Sequence, residues 1–427
     1  MVSRLFDTYE EAEIFFNDRK KHGIKPGLKR IKQLLEWLDH PQKKVKAIHI
    51  AGTNGKGSTV HYLSNALKAN GYNTGVFTSP SLHGLTGHFY LNGTQMSKVE
   101  LITLLNTVYP YIVKMDEAGD APTEYEILTA ISWLFFSKHA DIALVEAGMG
   151  GREDTTNCFL PIVSIITNVS LDHTKFIGST LPEIAYHKAG IIKNQVPVIL
   201  GEMTGEVRKV MDQEIQKNKS HAFFLGETYH YEKQIENKFI WKWDNREQTI
   251  TLRMAGEHQI KNASIALMTL SILKQLNWNI NKDQSIEAIE RTTIPGRFEK
   301  IMDKPTILID AAHNPAGIRA FISTIKEFYD PQNINVVFAA FKDKDIESML
   351  GQLMHQFNNI TLTEFAHPRS MRVSDLETCA YKYNINITKN WQEEAHKALQ
   401  STHAIHCFTG SFQFVSVVRD YLLKMNE

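Results

Sequence analysis

A polar, helix-like opening rich in Glu, Lys and Leu gives way at residues 45–50 to a largely apolar run, the pattern of a buried strand entering a Gly-rich turn. Residues 58–70 then place Val60, Leu63, Ala66 and Leu67 on one helical face, and Gly71 ends that helix. Strand-like runs recur at 75–78, 142–146, 162–168 and 196–200, separated by helical stretches such as 126–139. Alternation of this kind predicts a mostly parallel sheet covered by helices. Residues 221–253 break the rhythm: aromatic and charged positions alternate around Tyr229, Tyr231, Phe239, Trp241 and Trp243, which predicts an antiparallel hairpin region. A second α/β series begins after Pro295-Gly296, with strands expected at 306–309, 336–339, 359–363 and 405–409. The stretch 277–281 is polar and helix-poor, whereas 285–291 reads as helix again, so a boundary is set near residue 294 and two domains are expected, 1–294 and 295–427.

The length of 427 residues supports that division, because a single core usually stops growing well below it. Composition narrows the partners. With 47 basic and 47 acidic side chains, no global charge draws the chain to nucleic acid or a membrane. No apolar run approaches the roughly 20 residues of a membrane span. The first residues, Met1 to Asp7, are followed by Glu10, Glu11 and Glu13, unlike a secretory signal, so a cytoplasmic location is expected. Cys158, Cys379 and Cys407 stand singly, without zinc or disulfide spacing, and read as packing residues in a reducing compartment.

The strongest chemical signal is Gly52-Thr53-Asn54-Gly55-Lys56-Gly57-Ser58, between a predicted strand and a predicted helix. Glycines let a backbone wrap phosphate oxygens, a helix N-terminus presents unpaired N–H groups, Lys56 adds charge, and Ser58 can reach magnesium or a phosphate. The usual Walker spacing is not met, since Ile50 stands at the first glycine position and Gly57 separates Lys56 from Ser58. By itself the loop says nucleotide phosphate, not which reaction. Glu146 closes the strand 142–146 and is either a magnesium ligand or a residue that caps a helix or stands exposed in the following loop. His173 and Ser79 each follow a predicted strand and are equally open. Thr180-Leu181-Pro182-Glu183 has the form of a capping box, which puts Lys188 in the last turn of a short helix, where a lysine also suits the helix dipole. Asn262 is placed in the first turn of an apolar helix, as a cap or a ligand contact, and Arg297 and Asp310 are as readily surface charges as site residues.

The variant loop resembles that of the Mur ligase superfamily, and His49 through Ser58 resembles its folylpolyglutamate and dihydrofolate synthase branch. Further blocks follow in that family's order: Thr78-Ser79-Pro80, Glu146-Ala147-Gly148-Met149-Gly150-Gly151-Arg152, Thr155-Thr156-Asn157, Asp172-His173-Thr174, Lys188-Ala189-Gly190-Ile191, Pro295-Gly296-Arg297 and Asp310-Ala311-Ala312-His313-Asn314-Pro315. The resemblance implies an α/β fold: an N-terminal P-loop NTPase-like parallel-sheet domain with a small antiparallel region, and a C-terminal Rossmann-like α/β domain. It implies that Gly52, Thr53, Asn54, Gly55, Lys56, Gly57, Ser58, Asn262, Arg297, Asp310 and His313 contact ATP. It further implies that Ser79, Glu146, His173 and Lys188 hold Mg2+, two ions in all, with Lys188 as a carbamate, and that Lys56, Lys188 and His313 serve catalysis.

The reaction so implied joins L-glutamate to the γ-carboxylate of a reduced folate through an acyl phosphate, in a monomer whose two domains close over ATP. Dihydrofolate synthase, with dihydropteroate as acceptor, is the nearest alternative, alone or combined in a bifunctional enzyme. Residues 122–126 and 152–154 fall where the pterin pocket is expected. A peptidoglycan Mur ligase is disfavoured by the blocks at Ser79-Pro80 and residues 148–151. A regulatory phosphate-loop ATPase belongs to a different class and is separated by substrate dependence.

Overall fold

The computed structural model describes residues 6–81, 83–383, 385–402 and 404–425. Two compact units emerge. The first takes in the chain through Glu232 with Ile240–Ile250 and Lys261–Arg291; the second takes in Lys233–Phe239, Thr251–Ile260 and the chain from Thr292.

Among the described residues, eight strands form the sheet of the first unit: β1 (Lys46–Ala51), β2 (Thr74–Phe77), β3 (Phe89–Leu91), β4 (Thr94–Gln95), β5 (Ile142–Glu146), β6 (Val163–Ile166), β7 (Val198–Leu200) and β8 (Ala222–Phe224). Their order is β4-β3-β2-β5-β1-β6-β7-β8. Strands β2, β5, β1, β6, β7 and β8 run parallel, and β3 and β4 add an antiparallel edge. Every residue of β1 after Lys46 is buried, as is all of β5, because helices cover both faces of the sheet. That burial is why these strands read as apolar runs.

Two expectations change here. Residues 222–224 lie in the region assigned to antiparallel hairpins, yet β8 pairs parallel with β7, because the helix Gly205–Asn218 makes a crossover between them. The antiparallel sheet starts later, with β9 (His230–Lys233), β10 (Lys238–Trp243) and β11 (Arg246–Thr251). The helix Glu257–Gln275 begins a turn earlier than its apolar pattern, so Asn262 sits in the second turn, too deep to cap it.

The second unit holds a six-stranded sheet of β12 (Glu299–Asp303), β13 (Thr306–Asp310), β14 (Ile334–Phe338), β15 (Asn359–Thr363), β16 (Asn386–Thr388) and β17 (Ile405–Thr409), in the order β12-β13-β17-β14-β15-β16. All pairs are parallel except β12 with β13. Strands β3, β4, β12 and β16 were not visible in the sequence, being short, polar or half-exposed edges. Cys158 and Cys407 are free thiols, Cys407 buried in the core, whereas the Cys379 side chain lies outside the described residues. Among the described residues no helix is long and apolar enough to cross a membrane.

Candidate active site

Strand β1 lies between β5 and β6, and the sheet order reverses around it, which places a crevice at its carboxyl end. The phosphate loop emerges there. Gly55 caps the helix Lys56–Ala69 in a left-handed conformation at φ 82, and a Cβ on it would fall 2.2 Å from Oδ1 of Asn262. Only glycine satisfies both conditions. A Cβ on Gly52 would likewise meet Thr167 Oγ1 at 1.9 Å.

The loop is braced from the outlet of β6. Thr53 N donates to Asn168 O at 3.0 Å, and Asn54 N to Asn168 Oδ1 at 3.0 Å. Thr167 Oγ1 and Asn168 Nδ2 both donate to Asn54 O, at 2.6 and 2.9 Å, while Thr53 Oγ1 and Ser170 exchange two 3.0 Å bonds through the Ser170 carbonyl and amide. These bonds hold the loop curled, with the helix N-terminus beneath it. Thr167, Asn168 and Ser170 are the functional neighbours that sequence reasoning missed. The one signal was their position at the end of the predicted strand 162–168 or just past it, where the observed strand stops at Ile166.

Lys56 Nζ donates to Gly52 O at 3.0 Å and Thr53 O at 3.3 Å, and stands 3.9 Å from Oε1 of Glu146. Glu146 ends β5 opposite Ile50 of β1 and is 4 % exposed. Thr78 Oγ1, from the end of β2, donates to Glu146 Oε2. The neighbouring Ser79 Oγ lies 3.5 Å from the Tyr125 hydroxyl, beside a cis Ser79–Pro80 bond. Replacing Thr78 with valine keeps the shape and removes the donor that orients Glu146, so a loss of roughly 10- to 100-fold in activity is expected. Steady-state ADP release by Thr78→Val and Thr78→Ser measures it, with the serine variant near wild type.

Lys188 lies in the last turn of the helix Leu181–Ala189, whose N-terminal capping box forms as expected from Thr180 and Glu183. Its side chain is 3 % exposed. Burial first, and then the charge of Lys56, pull its amine down to about 7, against the opposing pull of Asp172 and Asp154. His173, by contrast, is exposed, at φ 51, heading the short helix Thr174–Ile177. Among the described residues no group of three or more His, Cys, Asp or Glu has metal-binding geometry.

In the second unit Asp310 ends β13 and is buried at 7 % exposure, not a surface charge. Its carboxylate accepts from Phe298 N and Ala312 N, both at 2.9 Å; burial raises its pKa, with Arg297 and the two N–H donors pulling the other way. The Arg297 guanidinium sits 5.3 Å from the Phe412 ring centre, and His313 Nδ1 lies 2.9 Å from Ala311 O. Asp310 thus organises the turn that carries Arg297 and the start of the turn that carries His313.

Two family descriptions match the chain: the Mur ligase middle domain over residues 50–270 and the Mur ligase glutamate ligase domain over residues 296–411. A dihydrofolate synthase/folylpolyglutamate synthase of Bacillus subtilis is 32% identical, over 98% of this chain and 100% of the relative. The chain belongs to the folylpolyglutamate synthase/dihydrofolate synthase family. Solved members of the family agree in fold. The folylpolyglutamate synthase of Thermotoga maritima superimposes with a TM-score of 0.84 at 31% identity, covering 98% of each chain. That of Mycobacterium tuberculosis, complexed with ADP and AMPPCP, gives 0.87 at 26% identity, covering 97% of this chain and 98% of its own. Folylpolyglutamate synthases therefore share both α/β units described above.

Proposed function

We propose that this chain is an ATP-dependent ligase that joins the amino group of L-glutamate to the γ-carboxylate of a reduced folate, releasing ADP and phosphate. The observation that supports it most is the braced phosphate loop standing beside the buried carboxylate of Glu146, in a chain that aligns with synthases over nearly its whole length.

An amide cannot form directly from a carboxylate, because an oxide leaving group is too poor. Phosphoryl transfer from ATP makes that oxygen part of an acyl phosphate; the glutamate amine attacks its carbonyl carbon, the C–O bond breaks, and phosphate leaves as the amine loses a proton. The chain's own groups meet the demands of that sequence. Backbone N–H groups at the start of the helix Lys56–Ala69 bind phosphate oxygens, the Thr53 and Asn54 N–H groups being taken up by Asn168, and Lys56 neutralises charge on the phosphoryl group in flight. Asn262, Arg297, Asp310 and His313 are proposed as further nucleotide contacts on the strength of their motifs.

Glu146, Ser79, His173 and a carbamate on Lys188 would hold magnesium. The donor set fits by its chemistry, since a buried carboxylate and a nearby hydroxyl are the hard oxygen ligands magnesium prefers. Bound magnesium supplies charge neutralisation on the triphosphate. Lys188 suits carbamylation because its amine is substantially neutral near pH 7; the nitrogen lone pair bonds to carbon dioxide and one proton is released.

Purified protein given tetrahydrofolate, L-glutamate and Mg-ATP is expected to release ADP and lengthen the folate tail, with ADP release falling to background when either acceptor or glutamate is withheld. ADP release indifferent to both would instead mark a regulatory ATPase. Dihydropteroate as a second acceptor is supported by the Bacillus subtilis relative, whose name carries both activities. Competition between dihydropteroate and tetrahydrofolate separates one activity from two.

A further inference from the structure

His49 takes no part in the chemistry above, yet it is wholly buried in the strand that delivers the phosphate loop. Its ring packs 5.0 Å from that of Phe159, and its Nε2 lies 2.9 Å from Thr156 Oγ1. Thr156, also fully buried, donates its hydroxyl to Asp154 Oδ1 at 2.5 Å, and its own N–H reaches the same oxygen at 3.0 Å. The other oxygen, Oδ2, accepts from Met149 N at 2.7 Å.

Hydrogen counting sets the direction of this chain. Burial raises the Asp154 pKa, against the pull of its three hydrogen-bond donors and Lys56; with that carboxyl ionised, Thr156 gives its one hydroxyl proton to it, so the Thr156 oxygen can only accept from the histidine. Nε2 must therefore carry the ring proton. A neutral imidazole has a single N–H, which leaves Nδ1 a bare acceptor, and Nδ1 indeed meets no hydrogen-bond partner among the described residues. Burial drives the ring's pKa down to about 3, so the neutral form persists at every working pH.

The loop 148–157 that this chain secures is also what steadies the turn bearing Lys188. Arg152 N donates to His187 O at 2.6 Å, and Asn157 Nδ2 bridges Arg152 O and Gly190 O at 3.0 and 3.1 Å. A Cβ on Gly151 would stand 2.9 Å from His187 O, so the loop lies directly on the helix backbone. Asp154 itself is near enough to Lys56 and Lys188 to act on both electrostatically. We propose that His49 is a positioning residue: through Thr156 it locks Asp154 and the 148–157 loop, and so fixes the Lys188 turn relative to the phosphate loop. A histidine kept merely to fill the core would need only its ring shape; the directed N–H is the extra feature.

This inference rests on the ligase reading for its kinetic arm, and a spectroscopic arm stands apart from it. His49→Phe and Thr156→Val each keep bulk and remove one hydrogen-bonding group, and each is expected to lower kcat by roughly 10- to 100-fold while the protein stays folded by circular dichroism. The double variant is expected to be no worse than the poorer single one, because a broken chain cannot be broken twice. His49→Gln, whose amide offers an N–H where Nε2 stood, and Thr156→Ser are expected to recover most of the activity. Losses that multiply in the double variant, or a His49→Phe enzyme as active as wild type, overturn the proposal. Independently, nitrogen-15 spectra of the wild-type protein, assigned by difference from His49→Gln, should show His49 protonated at Nε2 alone and unchanged from about pH 5 to 9, the range over which an ordinary histidine titrates. Protonation at Nδ1, or titration in that range, also overturns it. Should the wild type release no ADP with folate and glutamate, the ligase reading fails, and the spectra alone decide the hydrogen-bonded chain.

Discussion

Lys188→Met should lose more than about 100-fold in ligase turnover, beyond the cost of removing a ligand's hydrogen-bond partner. The same substitution carries a stability signature that a surface lysine could not produce. Lys188 titrates at about 7 in the folded protein against 10.5 for an ordinary lysine. Between those values the unfolded chain holds a proton that the folded protein has released, so wild-type stability rises with pH across that window. Relative to Lys188→Met, the rise should approach about 1.4 kcal/mol per pH unit, and it should vanish below pH 7, where both states are protonated. Urea unfolding of the two proteins in buffer freed of carbon dioxide measures this difference, and a flat difference through the window would show Lys188 solvated. Restoring bicarbonate is expected to add the mass of one carbon dioxide at Lys188 in the wild type and nowhere in the variant.

The other large effect belongs to Gly55. Gly55→Val should abolish nucleotide binding while leaving a folded protein. At φ 82 a β-branched residue is strained, by roughly 1–3 kcal/mol, and its Cβ would press on the Asn262 amide at 2.2 Å. Relief requires the loop to uncurl or Asn262 to withdraw, and either change disperses the N–H groups that would bind phosphate. Calorimetric titration with ATP reads the loss directly. Unchanged affinity in Gly55→Val would mean that the triphosphate binds elsewhere, and the ligase reading would go with it.

Legibility of the fold followed burial. Strands β5 and β17 have the bounds their apolar runs predicted, because they are sealed from solvent in all but the first residue of β17; β15 also keeps its predicted bounds, with Thr361 half-buried. The helix Leu181–Ala189 was readable from its capping box, which needs only local contacts. Strand β8 was misjudged because three residues carry too little pattern to show whether a hairpin or a crossover precedes them. Asn262 was placed one turn early because apolar periodicity starts later than the helix that bears it.

What the sequence determined by itself is the chemistry on offer: a phosphate loop between strand and helix, carboxylates and a lysine in a family's order, and two α/β series. Short-range rules suffice for these, since turn glycines, caps and periodicity act within a few residues. Tertiary structure alone decided that Asn168 braces a loop 114 residues away, that Asn262 stands against Gly55, and that Lys188 is buried near Lys56 deeply enough to lower its pKa to about 7. Each depends on desolvation and close approach between segments distant in the chain, quantities that exist only once the sheet has set their distances.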